Sequence, residues 1–251
     1  MEEGYGRAVP TIELREALHY MGWRGRALEP EFVGQIRACE GELREVARPQ
    51  MIYRVFPYAP ETNRLEGTVY QPAGRDIRQL LRSCRQAVLF AATLGADADR
   101  LIARTMLRNG GNGLVMDAVA SAMIEAVCNQ AETELARHRE NVGQYLTDRF
   151  SPGYGDMPLS DGGRICTLLE TPKRIGLTVT GSGIMLPQKS VTAVLGISPV
   201  KQEHRSSPCQ SCAMRKECPL AERKDDHDGK NSYPDGRGDG DHAPACGPQS
   251  R

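Results

Sequence analysis

Residues Arg149 to Pro158 read Arg-Phe-Ser-Pro-Gly-Tyr-Gly-Asp-Met-Pro. An arginine guanidinium is a planar fork that fits a carboxylate. A glycine lets backbone come close to a ligand, and a tyrosine offers a flat face with one hydroxyl. Arg149, Gly153 and Tyr154 could jointly hold a small amphipathic ligand that carries a carboxylate. The same residues also describe a Pro-Gly turn with a surface arginine, and local chemistry alone favours the turn.

A second set of chemically able residues lies further on. Cys209, Cys212 and Cys218 follow the pattern C-x-x-C-x-x-x-x-x-C, with a proline after the last. Thiolates this close can share one metal ion or one iron–sulfur cluster. A fourth ligand could be Cys246, His204 or none. Three alternatives stand: a [4Fe–4S] cluster that carries an electron, a structural Zn²⁺ that pins the C-terminal segment, or free thiols. The gap between Cys212 and Cys218 fits neither a usual zinc ribbon nor the bacterial ferredoxin run. Cys39, Cys84, Cys128 and Cys166 lie singly among apolar residues and read as small core side chains. Lys189 and Ser190 sit in a Pro-containing turn before a strand; a solvated turn and a phosphate or cobalamin-edge contact are both open. Gly181-Ser182-Gly183 lacks the third glycine and the following helix of a dinucleotide fingerprint.

The elements that position these residues are legible from periodicity. Thr11 to Tyr20 reads as a short helix capped by Thr11. Glu31 to Ala47 carries Phe32, Ile36, Cys39, Leu43 and Val46 on one face, and Pro49 stops it. Met51–Phe56 and Leu65–Tyr70 read as strands. Asp76 and Asp97 read as caps of two helices ending near Ser83 and Arg108. The apolar run Ala87–Leu94 between them reads as a buried central strand. The Asn-Gly-Gly-Asn-Gly stretch breaks the second of these helices, and Leu114–His138 is a long, alanine-rich helix. Leu159–Leu169 is read as a short helix, and Arg174–Thr180 and Ser190–Ile197 as strands. Helices, strands, helices, strands in that order predict an α+β fold rather than a βαβ repeat.

Lysine plus arginine number 32, as do aspartate plus glutamate, so the whole-chain charge gives no reason to expect nucleic acid or an anionic membrane as partner. No run of about 18 consecutive apolar residues is present. The first residues lack the basic and apolar regions of a signal peptide, and the expected location is cytoplasmic. Beyond Pro199 apolar residues thin out. Residues 201–222 form a Cys-rich metal or iron–sulfur motif, and 223–251 are too polar to offset their ordering entropy and are expected to be disordered.

Residues 149–158 also resemble the Arg-x-x-x-Gly-Tyr-x-x-x-Pro motif of the activation (reactivation) domain of cobalamin-dependent methionine synthase. Ser182–Ile197, "SGIMLPQKSVTAVLGI", is similar to that family's Ser-x-x-Met-x-Pro-x-x-Ser-Val segment. "ATLGADADRL" and "DAVASAMIEAV" match in position and character. The likeness spans about residues 10 to 200, so residues 1–200 are expected to form an activation-domain-like unit of the stand-alone kind. The resemblance implies a mainly antiparallel, bent sheet flanked by helices. It implies binding of S-adenosylmethionine and its presentation to an oxidised cobalamin on a partner, where one-electron reduction and methyl transfer restore methylcobalamin.

Carried over residue by residue, the resemblance puts Arg149 on the methionyl carboxylate. Pro152, Gly153 and Tyr154 would line the ligand, and Glu125 would contact it from the long helix. From the residue pattern alone Glu125 is a helix-face acid. The implied partners are a cobalamin-binding methionine synthase or other corrinoid protein and an electron donor such as flavodoxin or ferredoxin. The chain is then an accessory component of methyltransferase activity, with no catalytic residue assigned. Two positions depart from the family: Gly22 stands where it has an aspartate, and Leu195 where it has a tyrosine. Asp156 is available as a replacement carboxylate. The departures and the cysteines favour a second expectation, an iron–sulfur corrinoid reductase that does not use S-adenosylmethionine. A third is a non-catalytic docking subunit.

Overall fold

The computed structural model describes residues 3–6, 9–23 and 27–201. Along the chain come β1 (Glu3–Gly6), α1 (Leu14–Tyr20), α2 (Pro30–Val46), β2 (Gln50–Ala59) and β3 (Arg64–Leu65). Then follow α3 (Arg75–Leu81), β4 (Gln86–Thr93), α4 (Ala96–Arg108), α5 (Gly110–Glu140) and β5 (Tyr145–Leu146). The last are α6 (Asp161–Leu169), α7 (Thr171–Arg174), β6 (Thr178–Val179), β7 (Met185–Leu186) and β8 (Ser190–Ser198). The order is that of an α+β fold.

The main sheet is antiparallel, in the order β1-β2-β4-β8-β5, with β3 on β2 and β6–β7 apart as a small hairpin. β4 lies at its centre, pairing with β2 from Gln50↔Thr93 to Pro57↔Gln86 and with β8 from Gln86↔Ile197 to Thr93↔Ser190. Its run is apolar throughout because both faces are covered. Val88, Phe90 and Ala92 join Ala193, Leu195 and Ile197 in a core under α1, α2, α4 and α5. Ala87, Leu89 and Ala91 join Val194 in a second core under α3 and α6. The alternation along each strand divides the cores.

α5 spans the first core. Over 18 residues its mean hydropathy is 1.2, so by length and composition it passes for a membrane span, yet 67% of that window is buried within the protein. It begins earlier than the sequence suggests. The break from α4 is the single residue Asn109, whose Oδ1 accepts the N–H of Asn112. Gly113 must be glycine, because a Cβ there would lie 2.5 Å from Met106 Cα.

Four other expectations shift. α1 starts at Leu14, with Glu13 rather than Thr11 at its cap. β3 stops at Leu65, because Gly67 takes φ +75 and starts a turn in which the Thr68 hydroxyl donates to Leu65 O. Residues 174–180 form the end of α7, a break at Gly176 (φ +67) and only a two-residue strand. Asp76 and Asp97 lie inside the first turns of α3 and α4, with Gly74 and Gly95 at the caps.

Candidate functional site

Glu125, Cys128, Asn129 and Glu132 project from one face of α5, since spacings of three, four and seven repeat the helix turn. Arg149 reaches them from the segment after β5. That segment is laid along β8. Thr147 N donates to Gly196 O, and Phe150 and Val194 exchange backbone hydrogen bonds at 2.9 and 2.8 Å. Arg149 is thus delivered by the edge of the sheet, not by a free loop.

Arg149 Nη2 donates to Glu125 Oε2 at 2.5 Å and to Asn129 Oδ1 at 3.4 Å. Its Nη1 lies 2.5 Å from Glu132 Oε1. The arginine side chain is 4% exposed, that of Glu125 7% and that of Glu132 26%. Among the described residues the buried Arg149 Nε finds no acceptor, and the Nη1–Glu132 contact is an ion pair without hydrogen-bond geometry. Burial opposes the guanidinium's charge, but Glu132 and Glu125 outweigh it and hold the group further above its usual range. Burial pushes the Glu125 carboxyl up, Arg149 pulls it down, and Glu132 pushes it up again; the net direction is upward. Burial likewise keeps the Cys128 thiol protonated.

A third carboxylate adds to this cluster. Glu16 on α1 is raised chiefly by burial, with Glu125 among the charges that act on it. Its buried Oε2 has no hydrogen-bond donor among the described residues. Two glutamates, Glu125 and Glu132, therefore share Arg149, while Glu16 interacts with Glu125 and is itself offset by Arg15, an arrangement with room for additional positive charge. Glu16, Asn129 and Glu132 are absent from the sequence-based site. For Glu132 and Asn129 a signal existed, their spacing from Glu125 on one helix face. For Glu16 none did, because only packing brings α1 against α5.

Pro152, Gly153 and Tyr154 follow in a tight turn. Pro152 is buried, Gly153 is exposed with φ +94, and its N–H donates to Met157 O at 2.9 Å. The Tyr154 ring stands 6.3 Å from that of Phe150, and Tyr154 acts electrostatically on Arg149. Asp156 points elsewhere. Its carboxylate accepts from Arg75 N at 2.7 Å and Asp76 N at 3.1 Å, satisfying the first N–H groups of α3. It is a helix cap and not a replacement ligand carboxylate. Gly22 is exposed in the turn after α1, and Leu195 is 1% exposed inside the first core, so neither provides a polar contact.

Lys189 and Ser190 are engaged. Lys189 Nζ meets Asp117 Oδ1 and Ser121 Oγ, each at 2.9 Å, with 14% of its side chain exposed. Asp99 accepts the N–H groups of Gln188 and Lys189. The Ser190 hydroxyl donates to Pro187 O and is hydrogen-bonded to Thr93 Oγ1. This turn is bonded to α4 and α5, with Gln188 exposed and Lys189 part-buried. Cys39, Cys84, Cys128 and Cys166 are buried, as their apolar surroundings suggest. Cys209, Cys212, Cys218, Cys246 and His204 lie outside the described residues. Among the described residues no group of three or more His, Cys, Asp or Glu is placed to hold a metal ion.

A cleft of about 640 Å³ lies apart from Arg149, lined by Tyr70, Pro72, Arg78, Arg164 and Leu168 among others. The Arg149 cluster is the stronger candidate. It gathers buried charges that folding alone would not favour.

No family model matches the sequence, and no curated protein matches it. Among solved structures, the crystal structure of the MetH reactivation domain bound to AdoHcy matches with a TM-score of 0.54 at 17% identity, covering 81% of each chain. The chain has the fold of that domain: an antiparallel sheet flanked by helices.

Proposed function

We propose that this protein binds S-adenosylmethionine at the Arg149 cluster and serves as an activation protein for a cobalamin-dependent methionine synthase or another corrinoid methyltransferase. The observation that carries this reading is the meeting of Arg149 with Glu125 in a fold whose solved neighbour holds AdoHcy. An S-adenosyl amino acid has a carboxylate, an ammonium and, in the methionine form, a sulfonium. Arg149 answers the first, and Glu125 beside it answers the positive charge. Pro152, Gly153 and Tyr154 form the adjoining wall. Bound S-adenosylmethionine supplies a methyl group and leaves as S-adenosylhomocysteine; this chain's residues bind and orient it. The partner's corrinoid receives the methyl group. A donor such as flavodoxin or ferredoxin supplies the electron, and Lys189 and Ser190 lie on the turn proposed to approach the partner. The cysteine motif at 209–218 is proposed to hold [4Fe–4S] or Zn²⁺, and the location is proposed as cytoplasmic.

Isothermal titration tests the site. Arg149→Lys keeps a charge for Glu125 but loses the fork. Wild type should bind S-adenosylmethionine, and Arg149→Lys should bind it about tenfold or more weakly. Equal binding by both, or no binding by wild type, overturns the reading.

The second reading, an iron–sulfur corrinoid reductase without S-adenosylmethionine, is favoured by the exposure of Gly22 and the burial of Leu195. Anaerobic purification separates the two. A brown protein that fails to bind S-adenosylmethionine supports the reductase, and a colourless zinc protein sinks it.

A further inference from the structure

The Arg149 guanidinium is occupied before any ligand arrives. Glu125 and Glu132 each contact a different terminal nitrogen, and neither forms the two parallel bonds of a fork. The buried Nε has no acceptor among the described residues. The internal pairing therefore neutralises the charge without saturating the donors. A ligand carboxylate can do better, but only where a glutamate gives way.

The two glutamates differ in how readily they can leave. Glu125 is 7% exposed, and removing Arg149 from it would strand a buried charge. Glu132 is 26% exposed; although the oxygen that meets Arg149 is buried, the rest of its side chain already reaches solvent, so displacing it strands less charge than displacing Glu125. Departure of Glu132 frees Nη1, leaves Glu125 paired, and returns a carboxylate to the rim of the site.

We infer that Glu132 is a displaceable internal ligand of Arg149, which holds the guanidinium until an incoming amino-acid carboxylate replaces it. Affinity at this site is then a competition between an outside carboxylate and one from α5. The inference rests on the proposed S-adenosylmethionine site and concerns how entry to it is controlled. It selects ligands by their free carboxylate: a nucleoside thioether without the amino-acid tail has nothing to exchange for Glu132.

The test is titration of wild type, Glu132→Gln and Arg149→Lys with S-adenosylmethionine and with 5′-methylthioadenosine, which lacks the carboxylate. Removing a partly exposed ionic competitor should tighten S-adenosylmethionine binding about three- to fivefold. Affinity for 5′-methylthioadenosine should stay unchanged. Weaker S-adenosylmethionine binding by Glu132→Gln would make Glu132 a direct ligand contact and overturn the inference. So would unchanged binding, or an equal gain for both ligands. In each case a loss in Arg149→Lys leaves the site itself standing. If Arg149→Lys binds like wild type, the site and the inference fall together.

Discussion

The two ends of the Arg149–Pro158 segment face opposite halves of the protein and do different work. Arg149 turns under α5 into the first core's margin, where it meets Glu125 and Glu132. Asp156, seven positions on in sequence, stands at the surface and caps α3 beside the second core. One is a buried charge cluster with more negative than positive groups. The other is a half-exposed carboxylate used by the backbone of α3 and by the Arg75 side chain. A short motif can thus combine a candidate binding group with a scaffold group, and its residue types do not say which is which.

The largest effect expected from breaking this contrast is at Arg149. Arg149→Ala leaves Glu125 buried without a counter-charge and should cost about 3–5 kcal/mol in denaturant unfolding. Adding Glu125→Gln should restore part of that loss, since a neutral amide tolerates burial better than a lone carboxylate. A double variant no more stable than Arg149→Ala would show that the buried charge is not the cause.

A smaller effect is expected at the other end. Asp156→Ala removes the acceptor for the first N–H groups of α3 and should cost about 0.5–2 kcal/mol. Hydrogen exchange should quicken at Arg75 and Asp76 while the amides of α5 stay protected. Faster exchange across α5 as well would mean that the two ends are not independent.

The smallest effect is in pH dependence, where the ends should show opposite signs. Burial raises Glu125 above its ordinary 4.5, so its contribution to stability is present below that value and lost as pH rises through the folded value. The N–H groups of Arg75 and Asp76 hold Asp156 below its ordinary 3.8, so its contribution is present above that value and lost as pH falls through the folded one. Glu125→Gln should flatten the decline in melting temperature on the alkaline side of 4.5. Asp156→Asn should flatten the decline on the acid side of 3.8. Equal changes on both sides from either variant would break the distinction.

Much of the fold was legible because its elements obey simple periods. α2 and the two central strands β4 and β8 fall within a residue or so of their sequence boundaries. Boundaries moved where one glycine or one hydroxyl decides the backbone, at Gly67, Thr68 and Gly176. Helix caps were misread for a different reason. Asp76 and Asp97 are local acids, but the acceptor for α3 comes from Asp156, 80 residues away.

The sequence by itself determined the α+β class, the buried strand at the sheet's centre, the long helix bearing Glu125, and a segment rich in ligand-competent residues. These follow from period and composition, which act over a few neighbouring residues. Only the tertiary structure decided that Arg149 is buried against two glutamates, that Glu16 lies near Glu125 from α1, that Asp156 caps α3, and that Lys189 pairs with Asp117. A side chain's partners depend on which distant element folding brings beside it, and burial then sets whether its charge is held, shared or left to bind something else.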